Sequence, residues 1–146
     1  MSLLEKSIEN LAAAKLFVSQ KNYFNVTASR LYYSIFQRII YYLKSAANFD
    51  FSKFQNNNSN KNIKKHDYLP HGSIRKAISY YLCSLKCDFK DINFLIKIDS
   101  IYKLRHSADY KDNMLKYNEI KENLEYTEKI IEILDKHCGN TVNKNE

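Results

Sequence analysis

Between Tyr23 and Ala46 the sequence carries apolar residues on two helical stripes at once, and this constrains the fold more than any other stretch. Phe24, Ala28, Leu31, Ile35, Ile39, Tyr42 and Ala46 recur at spacings of three and four, the repeat of one helix face. Tyr33, Phe36, Ile40 and Leu43 form a second row. A helix apolar on two faces cannot sit at the edge of a domain. It is central in a bundle or shared with a second subunit, and we expect both.

The rest of the chain supplies helices to surround it. With two Gly and one Pro in 146 residues there is little to interrupt a helix, so an all-α fold is expected. Ser2-Leu3-Leu4-Glu5 has the capping-box pattern and opens a first helix to about Ser19, with Leu4, Ile8, Leu11 and Val18 as its inner stripe. The break at Lys21-Asn22 is short, Asn22 suits an N-cap, and the two helices should form a hairpin. Residues 47–70 lose periodicity around the run Gln55-Asn56-Asn57-Asn58-Ser59-Asn60 and read as a mobile Asn/Lys-rich loop whose far end, Lys61, Lys64, Lys65 and His66, is basic. Pro70-His71-Gly72-Ser73 marks the return to structure, with Ser73 as an N-cap for a short helix along Ile74, Ala77, Ile78, Tyr81 and Leu85. A fourth helix should span Asp91 to Ala108, and a last one Lys116 to His137. The seam of that last helix is Tyr117, Ile120, Leu124, Thr127, Ile131, Leu134 and Cys138, with Gly139 as C-cap. The expectation is one domain over residues 1–139, four main antiparallel helices plus a short one, and a disordered tail at 140–146.

A net charge of +7 permits an anionic partner such as RNA, although Lys-rich chains also drift basic without binding anything. Only Arg30, Arg38, Arg75 and Arg105 are arginines, which hints that a planar fork is wanted at those places. Cys83, Cys87 and Cys138 form no C-x-x-C pair, and His137 beside Cys138 is too little for zinc, so neither metal nor cofactor is expected. Without a signal-like N-terminus or a long uncharged apolar run, a cytoplasmic protein with no membrane contact is expected.

One stretch departs from helical packing. Leu95, Ile98 and Tyr102 share a face, and the next members of that stripe are Arg105 and Asp109, within Leu104-Arg105-His106-Ser107-Ala108-Asp109-Tyr110. A cation and a carboxylate at the end of an apolar stripe must pair, be hydrated or be used. The pair has the weaker i,i+4 orientation, Arg before Asp.

These residues, with others in order, resemble the HEPN family of small helical-bundle proteins, closest to a prokaryotic branch with an Arg-x-x-Ala-Asp-Tyr motif. Leu11-Ala12-Ala13-Ala14-Lys15-Leu16 followed by Tyr23 resembles the family's first helix. Ala28-Ser29-Arg30-Leu31-Tyr32-Tyr33-Ser34-Ile35-Phe36 resembles its second, and Arg105-His106-Ser107-Ala108-Asp109-Tyr110 its motif. His71-Gly72 is a weaker echo of a His-containing break. The resemblance implies a homodimer that brings two Arg/His motifs together. In active members that site is a metal-independent endoribonuclease, often in a toxin–antitoxin or phage-defence setting. The family's motif has His five positions after Arg, and here that place is held by Tyr110.

In such cleavage the 2′-hydroxyl attacks the adjacent phosphate. Arg105 suits the phosphorane charge and His suits proton transfer, whereas Tyr is a poor base at neutral pH. His106 is one candidate for that role, although it lies about 100° round the helix from Arg105; His71 and His66, reaching in from the loop, are others. Three readings stand. Arg105, His106 and Tyr110 form an altered ribonuclease site; or Arg30, Tyr33, Asp109 and His71 join Arg105 in a non-catalytic RNA- or nucleotide-binding module. Such a module would also suit the partner of a nucleotidyltransferase or antitoxin, with Tyr110 open to modification. In the third, Arg30, Arg105 and Asp109 are an internal network fixing two helices, capped by Tyr33 and Tyr110.

Overall fold

The computed structural model describes residues 1–55, 69–110 and 114–142, with side chains described to Gly139. Every regular element among them is helical: α1 (Leu3–Gln20), α2 (Phe24–Ser45), α3 (Ile74–Ser84), α4 (Phe89–Phe94), α5 (Lys97–Tyr110) and α6 (Tyr117–Val142), with 3-10 turns at Phe51–Phe54 and His71–Ser73. None of these helices is long and apolar enough to cross a membrane.

The helix α2 is the centre, packed against α1, α3, α5 and α6. Its first row is buried through Ala28, Leu31, Ile35, Ile39 and Tyr42, and the second row is buried at Ile40 and Leu43 and half-buried at Tyr33 and Phe36. Both faces are largely consumed inside one chain.

The capping box opens α1 as expected: Ser2 Oγ accepts from the Glu5 N–H, and Glu5 Oε2 accepts from the Ser2 N–H. The inner face of α1 is a correction. Ile8 is 52% exposed, and the buried positions are Ser7, Asn10, Ala14 and Val18. Two polar side chains displace an isoleucine because they meet partners. Ser7 Oγ donates to the Ser34 carbonyl and accepts from Arg38 Nε at 2.9 Å, and Asn10 bonds Gln37 and Arg30, both at 2.8 Å. Arg38, only 5% exposed, then reaches Asp135 on α6, whose carboxylate also accepts from Tyr42. This polar seam ties α1, α2 and α6.

The α1–α2 turn is a second correction. Asn22 is not the N-cap. Lys21 closes α1 in the left-handed region, with its N–H on the Val18 carbonyl and that of Asn22 on the Phe17 carbonyl, a Schellman pattern. Tyr23 then caps α2, itself left-handed at φ 54°. Two non-glycine residues in that region cost roughly 1 kcal/mol each or more, and the edge-on contact of Phe17 with Tyr23 at 5.4 Å helps offset it.

The expected loop at 47–70 is ordered at both described ends. Phe51 is buried, Phe49 stacks on Phe54 at 5.6 Å, and Tyr80 and Tyr81 of α3 close the cluster; Leu69 is buried as well. Periodicity missed this because the aromatics dock through a 3-10 turn. The Asn run from Asn56 and the basic residues Lys61, Lys64, Lys65 and His66 lie outside the described residues. Ser73 makes no side-chain cap; the turn at His71–Ser73 leads into α3 instead.

The single helix expected from Asp91 to Ala108 is two. The chain tightens at Leu95-Ile96, where the Leu95, Ile96 and Ile98 N–H groups each bond three residues back. No Gly or Pro marks the place. Finally, α6 continues past Gly139 to Val142, so Gly139 is not a C-cap and the expected tail starts too early. Residues 143–146 lie outside the described residues.

Candidate functional site

The site is built where the N-terminal half of α2, the turn before α3 and the end of α5 meet. Arg105 projects from α5 onto two rings of α2. Its guanidinium carbon is 5.2 Å from the Tyr32 ring centre and 4.9 Å from that of Tyr33, and Nη2 donates to the Tyr33 hydroxyl at 3.1 Å. Adjacent tyrosines on a helix point about 100° apart, so they clasp the planar cation from two directions.

Asp109 is a weak partner. Its Oδ2 lies 3.7 Å from Arg105 Nε, too far for a hydrogen bond. That Nε is buried and has no hydrogen-bond partner among the described residues. Nη1 makes no hydrogen bond to them either, and it is not among the buried atoms. Arg105 therefore keeps one sheltered N–H and one open donor edge.

His71 completes the cluster. The 3-10 turn at His71–Ser73 sets its ring 4.6 Å from Phe36 and 5.4 Å from Tyr32, with Nδ1 hydrogen-bonded to the Tyr32 hydroxyl. Burial, and next the nearby Arg105 charge, push the His71 pKa below its ordinary value, favouring the neutral ring. Burial holds the Tyr32 phenol far above its ordinary value, so the phenol keeps its proton. The neutral ring and the protonated phenol share one hydrogen bond, whose donor is set by the tautomer of His71. The site offers Arg105 Nη1 as a donor and His71 Nε2 as a donor or acceptor according to that tautomer.

Arg30, Tyr33 and Asp109 share a shallow cleft of about 330 Å³ with Asn25, Val26 and Ser29. Arg30 does not bond Asp109. Its Nη1 goes to Asn10 instead, which corrects the expected Arg30–Arg105–Asp109 network. His106 and Tyr110 are set apart. Both are exposed and their rings pack together at 4.7 Å, with no contact to Arg105 among the described residues. Tyr110 is 73% exposed and forms no cap on Arg105 among the described residues.

The structure brings Arg105, Tyr33, Asp109 and His71 together, adds Tyr32 and Phe36, and leaves out His106 and Tyr110. Tyr32 and Phe36 had a signal in sequence, since both lie in the Tyr-Tyr-x-x-Phe segment, but Phe36 fell on an apolar row of α2 and Tyr32 on neither row. No protein-family model, curated protein or solved structure matches the chain. Among the described residues no three His, Cys, Asp or Glu side chains gather as a metal site.

Proposed function

We propose that the chain acts on RNA as a HEPN-like protein, with Arg105 seating a backbone phosphate, in a toxin–antitoxin or phage-defence setting. One observation carries this reading. A guanidinium clasped by two tyrosines keeps Nη1 without a hydrogen bond among the described residues, and its Nε meets only a loose carboxylate at 3.7 Å. An arginine held only for packing would be expected to spend its donors internally, as Arg38 does. A phosphate at Nη1 would meet no acceptor already bound there among the described residues, and its oxygens can come within about 2.7–2.9 Å. The setting, a homodimer and a nucleotidyltransferase or antitoxin partner follow from the HEPN resemblance.

Cleavage is the second reading, favoured by the placement of His71. Turnover requires a bare imidazole nitrogen to take the 2′-hydroxyl proton while that oxygen bonds phosphorus. The bond to the 5′-oxygen then breaks, and that oxygen takes a proton. In the tautomer with the ring proton on Nδ1, Nδ1–H donates to the Tyr32 hydroxyl and Nε2 is bare, so His71, rather than His106, is the base in this reading.

The test is a metal-free assay of RNA binding and cleavage on wild type, Arg105→Ala, His71→Phe and His106→Ala, with melting temperatures measured alongside. The expected result is RNA binding weakened at least about tenfold in Arg105→Ala and little affected in His106→Ala. Cleavage lost in His71→Phe with binding retained would establish the ribonuclease. Wild type that binds no RNA would sink the proposal.

A further inference from the structure

Beside Arg105 lies a row of rings that phosphate binding leaves unexplained. Tyr33 and Phe36 are half-buried on α2, and His71 is exposed on the turn before α3. Phe36 and His71 lie 4.6 Å apart and tilted by 33°, Tyr33 meets Phe36 edge-on at 6.4 Å, and Tyr33 stands 6.5 Å from His71. The row reaches solvent, while Tyr32 behind it is 1% exposed.

The charge next to the row narrows what can cover it. The Arg105 guanidinium lies 4.9 Å over the Tyr33 ring, and the exposed Arg30 lies one helical turn before Tyr33 on α2. A ligand that fits both parts has a flat π-system a few ångströms from an anion, which is the build of a nucleotide unit. Aromatic stacking on a base depends on ring area and on the base being unpaired, so a purine gains more than a pyrimidine.

We propose that Tyr33, Phe36 and His71 form a base-stacking subsite, seating one unpaired base, preferably a purine, of the strand whose phosphate Arg105 holds. This rests on the RNA-directed reading above and assigns the site a second recognition element.

The experiment measures fluorescence-anisotropy affinities for three labelled single strands of equal length: oligo(A), oligo(U) and a ribose-phosphate oligomer without bases. Wild type should bind oligo(A) at least about tenfold more tightly than the abasic strand, with oligo(U) between. Phe36→Leu keeps apolar volume without a ring and should compress that ranking to within about threefold. Phe36→Tyr should restore it, and thermal melts confirm that both variants fold. Equal affinity of wild type for all three strands overturns the stacking subsite and leaves phosphate binding by Arg105 standing. No binding to any strand overturns both. If Phe36→Leu instead changes the protein's mass in sedimentation and leaves the ranking intact, a second copy covers the row and the subsite is wrong.

Discussion

Arg38 Nη1 lies 2.9 Å from each carboxylate oxygen of Asp135, across the seam between α2 and α6. Arg38 is nearly fully buried, whereas the Asp135 side chain is 45% exposed, so desolvation falls mainly on the cation. Asp135→Ala should therefore lower stability by about 3 kcal/mol, toward the lower end for breaking a buried pair, because the charge left behind has no replacement. Urea unfolding measures it. The double change Arg38→Met with Asp135→Leu should recover most of the loss, and failure to recover would mean that geometry, not charge burial, is at stake.

The polar seam of α1 reverses the usual ranking of a serine and an isoleucine. Ser7→Ala removes the acceptor of Arg38 Nε and should cost about 1–3 kcal/mol, while the neighbouring Ile8→Ser should stay within about 0.5 kcal/mol. Equal losses in thermal melts would contradict this assignment of the face.

Arg105 and Asp109 should separate in the same way. Asp109→Asn breaks only a loose, partly exposed pair and should shift stability by less than about 0.5 kcal/mol. Arg105→Ala removes the clasp on two rings and should cost about 1–2 kcal/mol. A loss of 3 kcal/mol or more in both variants would restore the buried ion pair as the reason for the motif.

The pH dependence follows from His71, which faces Arg105, Tyr32, Tyr33 and Phe36. Its lowered pKa means that the native state binds fewer protons than the unfolded chain between the native value and about 6.5. Its contribution to stability is full above that range and declines as pH falls through it. The lowered carboxyls of Asp50 and Asp91 act only lower, below the ordinary value of 3.8. Unfolding free energies between pH 7 and 5 should fall less steeply in His71→Phe than in wild type; parallel curves would refute the shift.

Phe51 tests whether the segment after α2 is docked. Phe51→Ala empties a site closed by Phe49 and should cost about 3 kcal/mol. A loss under 1 kcal/mol would mean that the segment does not hold the end of α2 and α3.

The long apolar rows of α2 and α6 were legible because each position repeats one simple requirement, burial, at helical spacing. The inner face of α1 was not, since Ser7 and Asn10 are buried only through partners 20 to 31 residues away on α2: Arg30, Ser34, Gln37 and Arg38. Arg105 was legible as an intruder in an apolar stripe. Tyr33 and His71 were legible as its candidate companions, but Tyr32 lay on neither apolar row and the clasp of two adjacent rings has no spacing to read. The break at Leu95-Ile96 carries no breaker residue, so only tertiary packing can set it.

The Arg38–Asp135 contact also orders events while the chain is being made. Its two ends are 97 residues apart in sequence. At synthesis rates of about 5–20 residues per second, the arginine emerges roughly 5–20 s before its carboxylate. During that interval a finished α1–α2 hairpin would satisfy Arg38 Nε through Ser7 but leave Nη1 to water, so the side of the hairpin that meets α6 cannot dry. That side must stay hydrated until α6 arrives, and the final closure of the bundle is deferred to the last helix.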